Sequence, residues 1–438
     1  MRDIPMYLLE PIVNRIYRRK MAAFLRMDEL ARQHEPIRPD PTAGPCLLYV
    51  HVPFCESLCP YCSFHRCEFE ETLATRYFAA LWREFTLYRD LGFDFDAIYV
   101  GGGTPTVMMD KLAETLDRAR KLFRIRDVSV ETNPNHLTPD HLSRLKESGV
   151  NRLSVGVQSF NDDILHHIGR LVKYGHAADI KERLAGAAGQ FDTLNIDLIF
   201  NIPIQTDAIL QADLDAIDAL RPDQVTFYPL MTAPSVESVL RHSLGPIDYA
   251  QEKRQYFAIL ERMRRHYAAS TAWCFSRKDT MIDEYIIDYD NYVGMGSGAF
   301  GFYEGTLHIN TFSIPEYLAK LDRHEFPVTR VKHFRPAEQQ YYFLLRKLFG
   351  LTLPRDQFRA GLGLDGACHI RPALALLRAA RAFVEGKEVV RLTERGMYYW
   401  VMAMREFFIA VDTLRDQCRR PSIPPACIPT SPVPNPTA

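Results

Sequence analysis

Three cysteines lie within eight residues in the run Cys55-Glu-Ser-Leu-Cys59-Pro-Tyr-Cys62. Thiolates spaced this closely can grip one iron–sulfur cluster. A cubane 4Fe–4S cluster has four irons, so three cysteines leave one iron open to a small molecule and to electron transfer. Zinc is the plainer alternative, but a structural zinc site asks for four protein ligands. Cys67 follows Cys62 by five residues. It is read as lying outside the ligand set, because a fourth thiolate would close the open iron.

Two further kinds of residue suggest a charged small ligand. Gly101-Gly-Gly-Thr-Pro-Thr106 lets the backbone approach such a ligand without a Cβ in the way. A phosphate loop would need a lysine, which is absent here. The polar residues Glu131, Gln158, Arg170 and Asp197 recur at intervals along the chain. Singly, each could be a routine buried polar partner. Together, a carboxylate can hold hydroxyls and an arginine can hold a carboxylate bidentately.

The elements that must position these groups are legible. Six short apolar, β-prone runs occur at Cys46–Val52, Ala97–Val100, Val128–Thr132, Arg152–Val157, Thr193–Phe200 and Gln224–Tyr228. Charged helical segments separate them, which predicts parallel β/α units. Six units are fewer than the eight of a closed barrel. Each motif above sits at the C-terminal end of one run, with Arg170 one helix further on. Beyond residue 332 the pattern is helical, with a β-like piece near Glu388–Leu392 and a wing at Arg391-Leu-Thr-Glu-Arg-Gly396.

The chain has 438 residues, 47% of them hydrophobic, and a formal net charge of −1. That balance gives no electrostatic reason to expect nucleic acid as a partner. Nine cysteines, mostly scattered, fit a reducing cytoplasm. No signal-peptide pattern opens the chain, and no apolar run approaches the length of a bilayer span. Residues 7–30 read as an amphipathic helix carrying Arg15, Arg18, Arg19, Lys20 and Arg26. Such a helix either packs on the barrel or rests on the inner face of an anionic membrane. Residues 421–438 hold seven prolines in eighteen positions and are expected to be disordered.

The CxxxCxxC loop, GGGTPT, RLSVGVQSFN and NIDLIFNIP together resemble the radical S-adenosylmethionine superfamily. Within it they are similar to the oxygen-independent coproporphyrinogen III oxidase branch. The resemblance covers about residues 45–330. It implies an α/β fold, a partial (β/α)6 barrel with a helical, winged-helix-like C-terminal domain. It also implies a 4Fe–4S cluster and a 5′-deoxyadenosyl radical from reductive cleavage of S-adenosylmethionine. A low-potential electron donor such as flavodoxin or ferredoxin would be a partner. By position, Cys55, Cys59 and Cys62 resemble the cluster ligands. Tyr49, Gly102, Gly103, Thr104, Glu131, Gln158, Arg170 and Asp197 match contacts to S-adenosylmethionine, and Tyr61, Pro229 and Phe300 fall where a second molecule would bind. The oxidase carries a cysteine two positions after the third ligand, where this chain has Phe64.

Three activities share this branch: the oxidase, a haem chaperone without turnover, and a class C methyltransferase that uses two S-adenosylmethionines. Ser270-Thr-Ala-Trp-Cys-Phe-Ser-Arg277 with Asp288-Tyr-Asp-Asn-Tyr292 resembles the methyltransferases of menaquinone C8. Trp273, Phe275, Tyr285, Tyr289 and Tyr292 would suit a flat ring, and a lipid quinone would be the substrate. Tyr285, Cys274 and His51 are the candidate bases. The expected organisation is then residues 1–44 as N-terminal helix and linker, 45–230 as barrel, 231–331 as the region for substrate and second cofactor, 332–420 as the helical domain and 421–438 as the tail.

Overall fold

The computed structural model describes residues 10–27, 37–278, 280, 285–357 and 367–419. The proline-rich tail and both ends of the 7–30 segment lie outside the described residues. The six expected runs form strands β1 (Cys46–Val52), β2 (Ala97–Gly102), β3 (Asp127–Thr132), β4 (Arg152–Gln158), β5 (Thr193–Phe200) and β6 (Gln224–Pro229). They are buried on both faces, so they read as continuous apolar runs rather than alternating ones. Each pairs with the next in parallel, from Leu47 opposite Ala97 to Phe200 opposite Pro229. Helices such as Glu71–Asp90 and Asp207–Leu220 fill the crossovers.

The sheet is wider than the six strands expected. Four more, β7 (Cys274–Ser276), β8 (Asn291–Met295), β9 (Phe300–Tyr303) and β10 (Thr306–Asn310), lead to β11 (Val328–His333). The order is β11-β10-β9-β8-β1-β2-β3-β4-β5-β6-β7, and a two-residue strand, Ala268–Ala269, ends the sheet beyond β7. Strand β8 extends the parallel set by pairing with β1, Cys46 opposite Asn291 and Val50 opposite Met295. Glycines hid β8 and β9 from a propensity reading, and the structure explains them. A Cβ on Gly294 would lie 2.2 Å from Phe300 O, and one on Gly301 2.2 Å from the His308 ring.

Three helices close one end of the molecule: Pro336–Phe349, Ala367–Ala379 and Glu394–Arg419. A small antiparallel sheet of Thr352–Pro354, Val389–Leu392 and Phe383–Glu385 forms the wing. The last helix carries a buried charge network. Arg405 pairs with Glu252 and with Glu406, and Glu406 also accepts from Arg18 Nε at 2.8 Å. That arginine belongs to the N-terminal helix Glu10–Phe24. Tyr17, Met21 and Phe24 pack inward, with Phe24 edge-on to Phe334 at 4.8 Å, and Leu25 is buried. The described part of the amphipathic stripe therefore faces the protein. Among the described residues no helix is long and apolar enough to cross a membrane.

Candidate functional site

The cysteine loop leaves β1 and is tied at its base. Phe54–Cys55 pairs with Cys67–Glu68, Cys67 N–H donating to Pro53 O at 2.7 Å and Phe69 N–H to Cys55 O at 2.8 Å. Cys67 thus serves the neck of the loop and does not line the cavity beside it. Inside the loop, Arg66 Nη2 donates to Cys59 O at 2.5 Å and to Cys62 O at 2.7 Å. One guanidinium staples the turn that carries two of the three thiols.

Cys55, Cys59 and Cys62 line one side of a cavity of about 380 Å³. That is the size of a small-molecule site. Hydrogen-bond donors aim at the sulfurs: Thr104 Oγ1 at 3.6 Å from Cys55 Sγ, and Arg170 Nη1 at 3.8 Å from Cys59 Sγ. Burial pushes the Cys55 thiol up to about 11. Arg66 and Arg170 each bury an Nε that has no protein partner. Among the described residues, no three metal-binding side chains converge as a single ion would require. A cluster fits better, because it spreads its thiolates over separate irons and accepts such donors on its sulfurs.

The loop after β2 is shaped by its neighbours as much as by any ligand. A Cβ on Gly101 would meet the Glu131 carboxylate at 2.7 Å, one on Gly102 the His51 ring at 2.7 Å, and one on Gly103 the Phe54 carbonyl at 2.6 Å. Gly102 N–H donates to Glu131 Oε2 at 3.1 Å, and Tyr99 O–H to Oε1 at 2.9 Å. Asp197, on β5, accepts from Ser154 Oγ at 2.9 Å and Asn195 Nδ2 at 2.8 Å. Gln158 ends β4 with φ +77°, where the register with β5 shifts. Such a conformation is strained for a non-glycine residue and is held by its surroundings. Arg170 bridges to Gly156 O, to Asn133 Oδ1 at 3.0 Å and to Tyr61 Oη at 3.3 Å.

Tyr49, Gly102, Gly103, Thr104, Glu131, Gln158, Arg170 and Asp197 all line this cavity, as do Tyr61, Pro229 and Phe300. The three candidate bases divide. His51 lines the cavity, but its Nε2 meets His65 O at 2.8 Å and its Nδ1 meets Tyr49 Oη at 2.9 Å. Nε2 therefore carries the proton, Nδ1 accepts, and burial lowers the imidazole to about 4. Tyr285 lies against Tyr49 at 5.8 Å, and burial holds its phenol well above 10. Cys274 sits in β7, fully buried and away from the cavity. Trp273 and Phe275 are core as well, Trp273 edge-on to Phe349 at 4.7 Å. Of the expected ring-binding aromatics, Tyr285 and Tyr292 reach the cavity.

Other lining residues escaped sequence reasoning. Phe407, Phe408, Asp412 and Arg415 come from the last helix, and Ser63 and Arg66 from the cysteine loop, beside Phe64. The pair Asp412 and Arg415, spaced i to i+3, reads in sequence as an ordinary surface ion pair.

Residues 49–217 match the family model of the Radical SAM superfamily, and the fold is the radical SAM α/β fold. The solved structure of coproporphyrinogen III oxidase (HemN) from Escherichia coli superposes with a TM-score of 0.70 at 21% identity, covering 83% of this chain and 90% of that one. Over most of its length the chain resembles the haem chaperones, and over part of it the coproporphyrinogen oxidases. It is 29% identical to the heme chaperone HemW of Bacillus subtilis over 80% of this chain and 95% of that protein. It is 27% identical to the Escherichia coli HemW over 84% and 98%. The anaerobic coproporphyrinogen III oxidase 1 of Cereibacter sphaeroides is 33% identical, over 44% of each chain. These relatives overturn the menaquinone methyltransferase reading. The residues behind it mislead for a physical reason: Trp273, Cys274 and Phe275 are sheet core rather than pocket wall. The lipid quinone expected as its substrate rests on that reading alone.

Proposed function

We propose that the chain is a haem-binding protein of the chaperone type, holding a tetrapyrrole beside a 4Fe–4S cluster on Cys55, Cys59 and Cys62. One observation carries the reading: the thiol-lined cavity continues into a chamber walled by Tyr285, Tyr292, Phe300, Phe302, Phe407 and Phe408. Aromatic walls suit a flat conjugated ring. Similarity to the chaperones over nearly their whole length supports it. Phe64, where the oxidase has a cysteine, favours carriage over porphyrinogen decarboxylation.

When bound, the cluster with S-adenosylmethionine supplies one-electron chemistry. The chain's own residues do the rest. Thr104 and Arg170 donate to thiol sulfurs, and Glu131 and Asp197 offer acceptors to ribose hydroxyls. His51, neutral and engaged at both nitrogens, orients Tyr49 rather than moving a proton. Tyr61, Pro229 and Phe300 offer little polar grip to a second S-adenosylmethionine, and we assign them to the ring chamber.

The test is anaerobic reconstitution followed by titration with haem and, separately, incubation with coproporphyrinogen III, S-adenosylmethionine and reductant. Tight haem binding without decarboxylated product is expected. Decarboxylation coupled to 5′-deoxyadenosine would replace the chaperone reading with the oxidase.

A further inference from the structure

Arg415 enters the ring chamber from the last helix. Its Nη1 donates to Asp412 Oδ1 at 2.6 Å, and Asp412 Oδ2 accepts from Ser63 Oγ at 2.8 Å. Ser63 directly follows the third thiol. The guanidinium lies over the Phe64 ring at 4.9 Å and the Phe300 ring at 5.5 Å. Its side chain is 15% exposed.

A guanidinium has five N–H donors. Asp412 takes one, and no other acceptor among the described residues takes the rest. Rings lie against its faces, so its edge remains for hydrogen bonding. That edge matches a carboxylate bidentately. The other cations of the cavity are committed elsewhere. Arg66 bonds the carbonyls of Cys59 and Cys62, and Arg170 bonds Gly156, Asn133 and Tyr61. Among the described lining residues, Arg415 is the cation on the aromatic side.

We propose that Arg415, positioned by Asp412 and Ser63, receives a carboxylate of the planar ligand whose ring lies on Phe64 and Phe300. The inference rests on the tetrapyrrole reading and adds how one edge of the ring is recognised. It makes the side chain a specificity determinant: ligands bearing a free carboxylate are held more tightly than esterified ones.

The test uses the full-length, anaerobically reconstituted protein. Haem and its dimethyl ester are titrated in the same detergent into the native protein, Arg415→Gln and Arg415→Lys, with thermal melts alongside. A charge-assisted pair lost on esterification predicts a preference for the free acid of about tenfold or more. Arg415→Gln abolishes that preference. Arg415→Lys keeps the charge without the fork and retains only part of it, which carries the test should the glutamine variant melt early. An undiminished preference in both variants overturns the assignment of Arg415 and leaves the tetrapyrrole reading standing. A native protein that binds neither compound overturns that reading, and the assignment with it.

Discussion

At the residue scale, the thiols and glycines make the sharpest predictions. Replacing Cys55, Cys59 or Cys62 by alanine should abolish iron loading on reconstitution. Cys67→Ala should keep iron near the native content, measured by iron and sulfide assay and by EPR of the reduced protein. Equal loss in all four variants would make Cys67 a ligand. Gly102 has φ +115° and faces the His51 ring, so Gly102→Ala adds both backbone strain and a clash. The expected cost is about 2 kcal/mol or more, read from urea unfolding. These residues were legible in the sequence because their chemistry is local: a cysteine spacing or a glycine run keeps its meaning without knowledge of the fold. Arg415 was not. Its work depends on Ser63 and Phe64, which are remote in the chain and adjacent only in space.

At the element scale, the helix Glu71–Asp90 is pinned to the glycine-rich strands by one carboxylate. Glu84 accepts from Gly296 N–H at 2.8 Å, Asn310 Nδ2 at 2.8 Å and Tyr317 O–H at 2.6 Å. Burial nevertheless outweighs these donors and raises the group to about 7. The folded state therefore holds a proton that the unfolded chain releases near its ordinary value of about 4.5. This contribution is fully present below about 4.5 and is lost as pH rises toward 7. The loss is on the order of 3 kcal/mol. His51 acts in the opposite sense, since its lowered value stabilises the fold increasingly as pH rises from about 4 to 6.5. The pH dependence should therefore be read as the difference between native protein and Glu84→Gln, in which the His51 contribution cancels. A flat difference across pH 4.5–7 would refute the assignment. A second prediction concerns the last helix. Arg405→Ala leaves Glu252 buried and unpaired, and should cost about 3–5 kcal/mol in chemical denaturation. The six central strands were legible to within two residues because buried parallel strands announce themselves as short apolar runs. Strands β8 and β9 were not, because their glycines answer to His308 and to each other's backbone rather than to strand propensity.

At the scale of the whole molecule, one sheet carries the ligand-facing loops and the C-terminal helices cover them. The N-terminal helix joins that cover through Arg18 and Phe24. Removing residues 1–27 should therefore lower the melting temperature and loosen the last helix, visible as faster amide exchange over 394–419. An unchanged melt would instead leave the helix available for a membrane role. The barrel could be foreseen from strand and helix alternation. Its lid could not, since helices of ordinary amphipathic pattern do not state which face of a sheet they will meet.

Ser63 and Asp412 stand 349 residues apart in the chain yet share a hydrogen bond. A ribosome adds about 5–20 residues per second, so the thiol loop emerges roughly 20–70 s before the helix that covers it. During synthesis the cysteine loop is an open cup, and the last helix is the stopper. Stalled nascent chains ending before residue 394 should react with a bulky maleimide at Cys59 and Cys62 far faster than released protein does. The thiols have their widest access in that interval, before the last helix arrives.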